Sequence, residues 1–214
     1  MERVPLLLWL AIGGLLSIFS IDKWPVAVAA WLAPTFLLHF THAKPSVAGL
    51  AGVWLALYVA LCVACRGVAP DSGFGYAVVM TVVVTLEFLP YVADRLLTSR
   101  LPEFTATLVF PLAMTVMEFV LNSGGIFLSV AYTQDGNLPL MQLASVTGIW
   151  GITFLVTWFS AVLNWGVENG VGVATVQRGF LVYAGVWSVV MVAEGVRLVF
   201  TGPATKTVRA VAIG

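Results

Sequence analysis

Charge is what this sequence has least of. Ten Lys and Arg balance ten Asp and Glu among 214 residues, so 9% are charged and the formal net charge is zero. Soluble domains usually carry about 25% charged residues, because most of their surface meets water. The lack of any Lys/Arg cluster or basic stripe excludes a phosphate-backbone partner, and with it nucleic acid. No low-complexity tail or acidic block is present. Cysteine is almost as scarce: Cys62 and Cys65 lie in an apolar run, which excludes a disulfide framework. Their C-x-x-C spacing is also a redox spacing, but with no His partner they read as small packing residues. There is no phosphate loop, no H-E-x-x-H, no G-x-S-x-G and no paired-carboxylate cleft. The last apolar run has no lysine, which argues against a retinal-binding photoreceptor. Nothing calls for a metal or another cofactor. His39 and His42 are spaced for a shared ligand but lack a third donor nearby, so they read as solvated interface histidines.

What the chain has instead is hydrophobic length. Sixty per cent of it is hydrophobic and its mean hydropathy is +1.01. A hydrocarbon core about 30 Å thick needs roughly 20 apolar residues per helix. Seven stretches come near that length: Val4–Ser20, Trp24–Phe40, Ser46–Cys65, Tyr76–Leu97, Phe104–Asn122, Leu140–Trp165 and Gly179–Phe200. The expected fold is therefore all-α, a polytopic membrane bundle of about seven transmembrane helices. The first run resembles a signal peptide, with Ala27-Val28-Ala29 like a cleavage site, but Asp22-Lys23-Trp24-Pro25 interrupts it and a second run follows. A membrane hairpin accounts for both runs.

The breaks between runs have turn chemistry: Asp22-Lys23, His42-Ala43-Lys44-Pro45, Arg66 to Phe74 with Pro70 and Asp71, and Ser99 to Glu103 with Pro102. The fifth break differs. Asn122-Ser123-Gly124-Gly125 ends a helix, Ile126 to Tyr132 is apolar but too short to span, and Thr133-Gln134-Asp135-Gly136-Asn137 follows. Such a segment reads as interfacial or re-entrant, and non-helical backbone at that depth must be covered by protein or line a wet cavity. After Phe200, Thr201-Gly202-Pro203 breaks the helix, and Thr207–Ile213 is β-branched enough to read as a short strand-like tail. The chain thus divides into a transmembrane domain, 1–200, and a linker, 201–214, that leads toward a soluble domain.

Orientation follows from the cations. With the N-terminus cytoplasmic, Arg3, Lys44, Arg95, Arg100 and Arg178 fall inside and only Lys23 and Arg66 fall in outer loops. The positive-inside rule favours that arrangement, which puts the C-terminus outside. Intramembrane polar groups are costly, so each is a functional candidate. Glu87 lies mid-span in the fourth run, either as a packing residue or as lining for a wet pathway. Glu118 lies toward the outer end of the fifth run, and Glu194 and Arg197 share a face three residues apart in the seventh. They read either as steadying interface groups or, with Gln134, as the lining of a polar mouth that receives a lipid headgroup or positions an exported domain. Gly148-x-x-Gly151, with Ser145 and Thr147, reads as a small-residue packing face.

Several of these segments carry a resemblance. Trp31-Leu32-Ala33-Pro34, Phe110-Pro111-Leu112-Ala113, Glu118, Ala131-Tyr132-Thr133-Gln134, Leu138-Pro139-Leu140, Gln142-Leu143-Ala144 and Thr147-Gly148-Ile149-Trp150-Gly151-Ile152-Thr153-Phe154-Leu155 stand in that order. Together they resemble the membrane domain of apolipoprotein N-acyltransferases. The resemblance implies a bacterial inner (plasma) membrane protein that moves an acyl chain from a phospholipid to the N-terminal cysteine of a lipoprotein. It also implies an exported nitrilase-like domain carrying a Glu–Lys–Cys triad, whose first strand Thr207–Ile213 is similar to. That triad has no positions in this sequence, since Cys62 and Cys65 lie in a membrane run. The expectation is a fragment, a truncated gene product or one half of a split protein. It would be a membrane anchor that presents phospholipid, with no catalytic residues of its own and a nitrilase-like domain or lipoprotein as further partner. The alternatives are a small transporter or channel using Glu87, or a membrane scaffold for a separate chain.

Overall fold

The computed structural model describes residues 5–20, 23–67, 73–125, 128–170 and 172–200. Asp22, Pro70, Asp71 and Ile126 and the strand-like tail at 201–214 lie outside the described residues. Within them the chain is helical and contains no strand. The helices are α1 (Leu6–Ile18), α2 (Ala27–Ala43), α3 (Val47–Ala64), α4 (Phe74–Leu97), α5 (Val109–Ser123), α6 (Leu138–Gln142), α7 (Ala144–Thr147), α8 (Ile149–Asn169) and α9 (Ala174–Phe200). Tighter 3-10 segments cover Thr98–Arg100, Glu103–Leu108 and Val130–Gln134.

Among the described residues, five helical stretches are long and apolar enough to cross a membrane: Val47–Ala64, Phe74–Arg100, Glu103–Ser123, Ile149–Asn169 and Ala174–Arg197. The first two expected spans are shorter. The 13 residues of α1 and 17 of α2 rise about 20 and 26 Å at 1.5 Å per residue. The bundle is arranged for lipid. Leu7, Leu55, Val116, Leu181 and Val189 point outward, while Thr153, Thr157, Ser160 and Asn164 of α8 are buried. With no hydrophobic drive between helices in a bilayer, small and polar side chains hold the interfaces. Ser160 Oγ donates to the Trp31 carbonyl at 2.7 Å and Thr35 Oγ1 donates to the Ser160 carbonyl at 3.2 Å, so α2 and α8 are stitched in both directions.

One core joins α2, α3 and α4 through Leu37, Leu38, Phe40, Val53, Leu57 and Val84. A second joins α2, α6, α8 and α9 around Leu140, Ile152, Val156 and Tyr183. The expected sixth span is not one helix. Gly148 has φ +66°, and α8 starts anew at Ile149 after α6 and α7. Ser145 and Thr147 therefore do not share a helix face with Gly151. The four residues read as one packing face are a corner, because a left-handed residue cannot continue a right-handed helix.

Candidate functional site

Glu118 organises the end of the bundle where α5 terminates and α8 begins. It is 1% exposed. Its Oε2 accepts from Ser129 Oγ at 2.6 Å and Thr153 Oγ1 at 2.5 Å, and its Oε1 accepts from the Val130 backbone N–H at 2.9 Å. One carboxylate thus ties α5, α8 and the 128–134 segment together. Asn122, one turn on, reaches the Leu128 carbonyl with Nδ2 at 3.3 Å. This matches the requirement that irregular backbone at membrane depth be covered by protein: Leu128, Ser129, Val130, Ala131, Thr133 and Gln134 are all buried.

Gln134 is set by the far end of that segment. Trp31 Nε1 donates to its Oε1 at 3.0 Å, and its own Nε2 donates to Thr133 Oγ1 at 2.7 Å. Trp31 also lines a groove of about 390 Å³ between α2, α8 and α9, whose other walls are Phe159, Phe180, Tyr183, Ala184 and Trp187. An almost wholly apolar groove therefore borders a polar, hydrogen-bonded cluster through one tryptophan. Glu194 and Arg197 lie on α9, with Nη1 and Oε2 3.8 Å apart. The bonds of Glu118 and Gln134 go instead to Ser129, Val130, Thr153, Trp31 and Thr133. Glu87 is buried on α4 beside a cavity of about 30 Å³ that Ser17, Ser20, Tyr91 and Met114 also line. That volume holds about one water. Among the described residues Glu87 makes no hydrogen bond.

The opposite end of the bundle holds a cluster that the sequence reading missed. His42 is not a solvated histidine. Its Nε2 lies 2.6 Å from Asp94 Oδ2 and its Nδ1 lies 2.8 Å from Glu168 Oε1. Carboxylates only accept, so both ring nitrogens donate and the ring is an imidazolium. His42 sits in the last turn of α2, past the apolar run that ends at Phe40. Burial works against its charge, but the bonds to Asp94 and Glu168 more than offset this, and its pKa is pushed up to about 10. Asn164 Nδ2 adds a bond to Glu168 Oε1 at 3.1 Å. His39, one turn earlier, packs on Trp9 with ring centroids 4.1 Å apart. Among the described residues no group of His, Cys, Asp and Glu is arranged to hold a metal ion.

Fold and site define a class first: a multi-pass helical membrane protein with polar clusters built into both ends of the bundle. The family follows from comparison. The description "Apolipoprotein N-acyltransferase N-terminal domain" matches residues 13–162, and the chain belongs to that family. The matched region spans α2 to α5, the 128–134 segment and most of α8. Comparison with curated proteins and with solved structures finds no match.

Proposed function

We propose that this chain is the membrane-embedded, lipid-presenting domain of an apolipoprotein N-acyltransferase-like protein. The observation that carries the reading is the apolar groove at Trp31, Phe180 and Trp187, which borders the buried Gln134 cluster. A phospholipid is an apolar chain joined to a polar head, and this juxtaposition suits both parts. The acyl chain lies along α9, whose outer face is already lipid-facing. The head lies toward Gln134, with the Glu194–Arg197 pair at the mouth. Glu118 acts by holding the 128–134 segment in place. Seven crossings of the bacterial inner membrane, N-terminus inside, bring this mouth to the outer face. There a nitrilase-like domain, on the same chain or another, meets the lipid and the lipoprotein. The acyl transfer itself belongs to that domain.

A photoactivatable phospholipid with its reactive group on the acyl chain tests the reading, using the purified 214-residue chain in nanodiscs. Labelling is expected at Phe180, Ala184 and Trp187, and the groove-filling variant Ala184→Trp is expected to lower it several-fold. No acyl group is expected to pass to a lipoprotein peptide. Labelling spread evenly over all outward faces, or transfer by this chain alone, would overturn the proposal.

A further inference from the structure

The ends of α2, α4 and α8 line an open cavity of about 340 Å³, at the end of the bundle away from Gln134. The His42 bonds occupy only one oxygen of each carboxylate that holds it. Asp94 Oδ1 and Glu168 Oε2 accept no hydrogen bond among the described residues. Asn164 is 2% exposed and lines the same cavity, and its Oδ1 is buried with no partner. A buried acceptor without a donor loses its hydration and gains nothing back, so such groups call for an explanation. Of the three acceptors only Asn164 Oδ1 is buried and unpaired; the free carboxylate oxygens of Asp94 and Glu168 stay open to water beside it, and a ligand with several N–H groups would engage all three.

Charge points the same way. The cavity wall carries three carboxylates, Asp94, Glu103 and Glu168, against two cations, His42 and Arg95. His42 already spends both of its N–H groups on Asp94 and Glu168, so it offers a ligand no donor. The balance of the wall is one negative charge, which favours a cation over an anion. The volume admits a small organic molecule, and the floor of Leu38, Ala161 and Trp165 suits its carbon atoms.

We propose that this cavity binds a small organic ammonium ion, whose N–H groups reach Asp94 Oδ1, Glu168 Oε2 and Asn164 Oδ1. The ammonium comes either from a free amine or from an aminated lipid headgroup, and the recognition chemistry is the same. This site is independent of the lipid groove and stands or falls without it.

The test uses the full chain in phosphatidylglycerol nanodiscs, titrated with ethanolamine and followed by ligand-observed NMR. Saturable binding is expected, while tetramethylammonium, which has no N–H, is expected not to compete. Adding phosphatidylethanolamine to the discs separates the sources: competition with free ethanolamine marks a headgroup, and none marks a free amine. Asn164→Leu is expected to weaken binding by about tenfold, the loss of one hydrogen bond to a charged group. Glu103→Gln, at an exposed position that folding tolerates, is expected to weaken it about threefold through the lost field. Ethanolamine binding that is absent in the native chain, equal to that of tetramethylammonium, or unchanged in both variants would overturn the proposal. So would preferential binding of inorganic phosphate.

Discussion

Glu118 is the residue whose role is most fully specified by its partners. Three donors from two elements converge on its carboxylate. Replacing it with alanine strips the buried Val130 N–H and two hydroxyls of their acceptor, and unsatisfied buried groups cost about 1–3 kcal/mol each. The expected result for Glu118→Ala is a loss of about 3 kcal/mol in reversible unfolding in detergent. Glu118→Gln keeps an oxygen for Val130 and can donate to a hydroxyl, so about 1 kcal/mol is expected. Equal losses for the two variants would show that volume, and not hydrogen bonding, holds the segment. At this scale the sequence was half legible. An acid in an apolar run marks itself as costly, which is why Glu118 and Glu87 stood out. Its partners did not, because a carboxylate says nothing about which hydroxyls will reach it. His42 was misread for the same reason. Its two partners lie 52 and 126 positions away, and spacing along one helix carries no trace of them.

Helices announce themselves through apolar length, and the five long stretches match runs visible in the composition. The failures came where one residue's backbone outweighs its neighbours' hydropathy. The run from Leu140 to Trp165 is apolar throughout, yet Gly148 turns it at φ +66° and sends α8 off as a separate helix. Nothing in hydropathy separates a glycine that packs from one that turns. The distinction is testable at that corner. A positive φ with extended ψ costs a residue with a side chain roughly 1–3 kcal/mol, and a Cβ there also comes within 3.1 Å of the Trp150 ring. Gly148 also has ψ −171°, a region essentially reserved for glycine, so Gly148→Ala and Gly148→Asn are both expected to lower stability by about 2 kcal/mol. A straight helix through 140–165 would predict the opposite sign for alanine, because alanine is the better helix former. Melting of the three proteins in one detergent decides between them.

At the scale of the whole molecule, the two polar clusters constrain how the chain crosses the membrane. The C-terminal ends of α2, α4 and α8 meet at His42, Asp94 and Glu168, so those three ends share one side of the bundle. At the other end Trp31 meets Gln134, and Glu118 meets Thr153. An even number of crossings must separate α2 from α4 and α4 from α8. The pairs α3 with α4 and α5 with α8 supply that number if the 128–147 segment turns back without crossing. Its buried start over 128–134, the two short helices α6 and α7 and the Gly148 corner are what a returning segment needs. The cations sort with this parity. In the loops, Lys44, Arg95, Arg100 and Arg178 accompany the His42 end, whereas Lys23 and Arg66 lie together at the other, with Lys23 Nζ donating to the Arg66 carbonyl at 3.3 Å; Arg197, at the end of α9, also falls on the Lys23 side and narrows the excess to four against three among the described residues. An excess of Lys and Arg marks the cytoplasmic side, because translocating short charged loops is unfavourable. The His42 end, with its cavity, should then face the cytoplasm and the Gln134 groove the exterior. Single cysteines decide this once Cys62 and Cys65 are replaced by alanine. A membrane-impermeant maleimide applied to intact bacterial cells is expected to label Lys23→Cys at once and Ser99→Cys only after permeabilisation. The reverse pattern would invert the bundle and turn the lipid groove away from any exported domain. Labelling of both positions from outside would break the parity itself, leaving α4 with no crossing that could carry Asp94 to the side of His42.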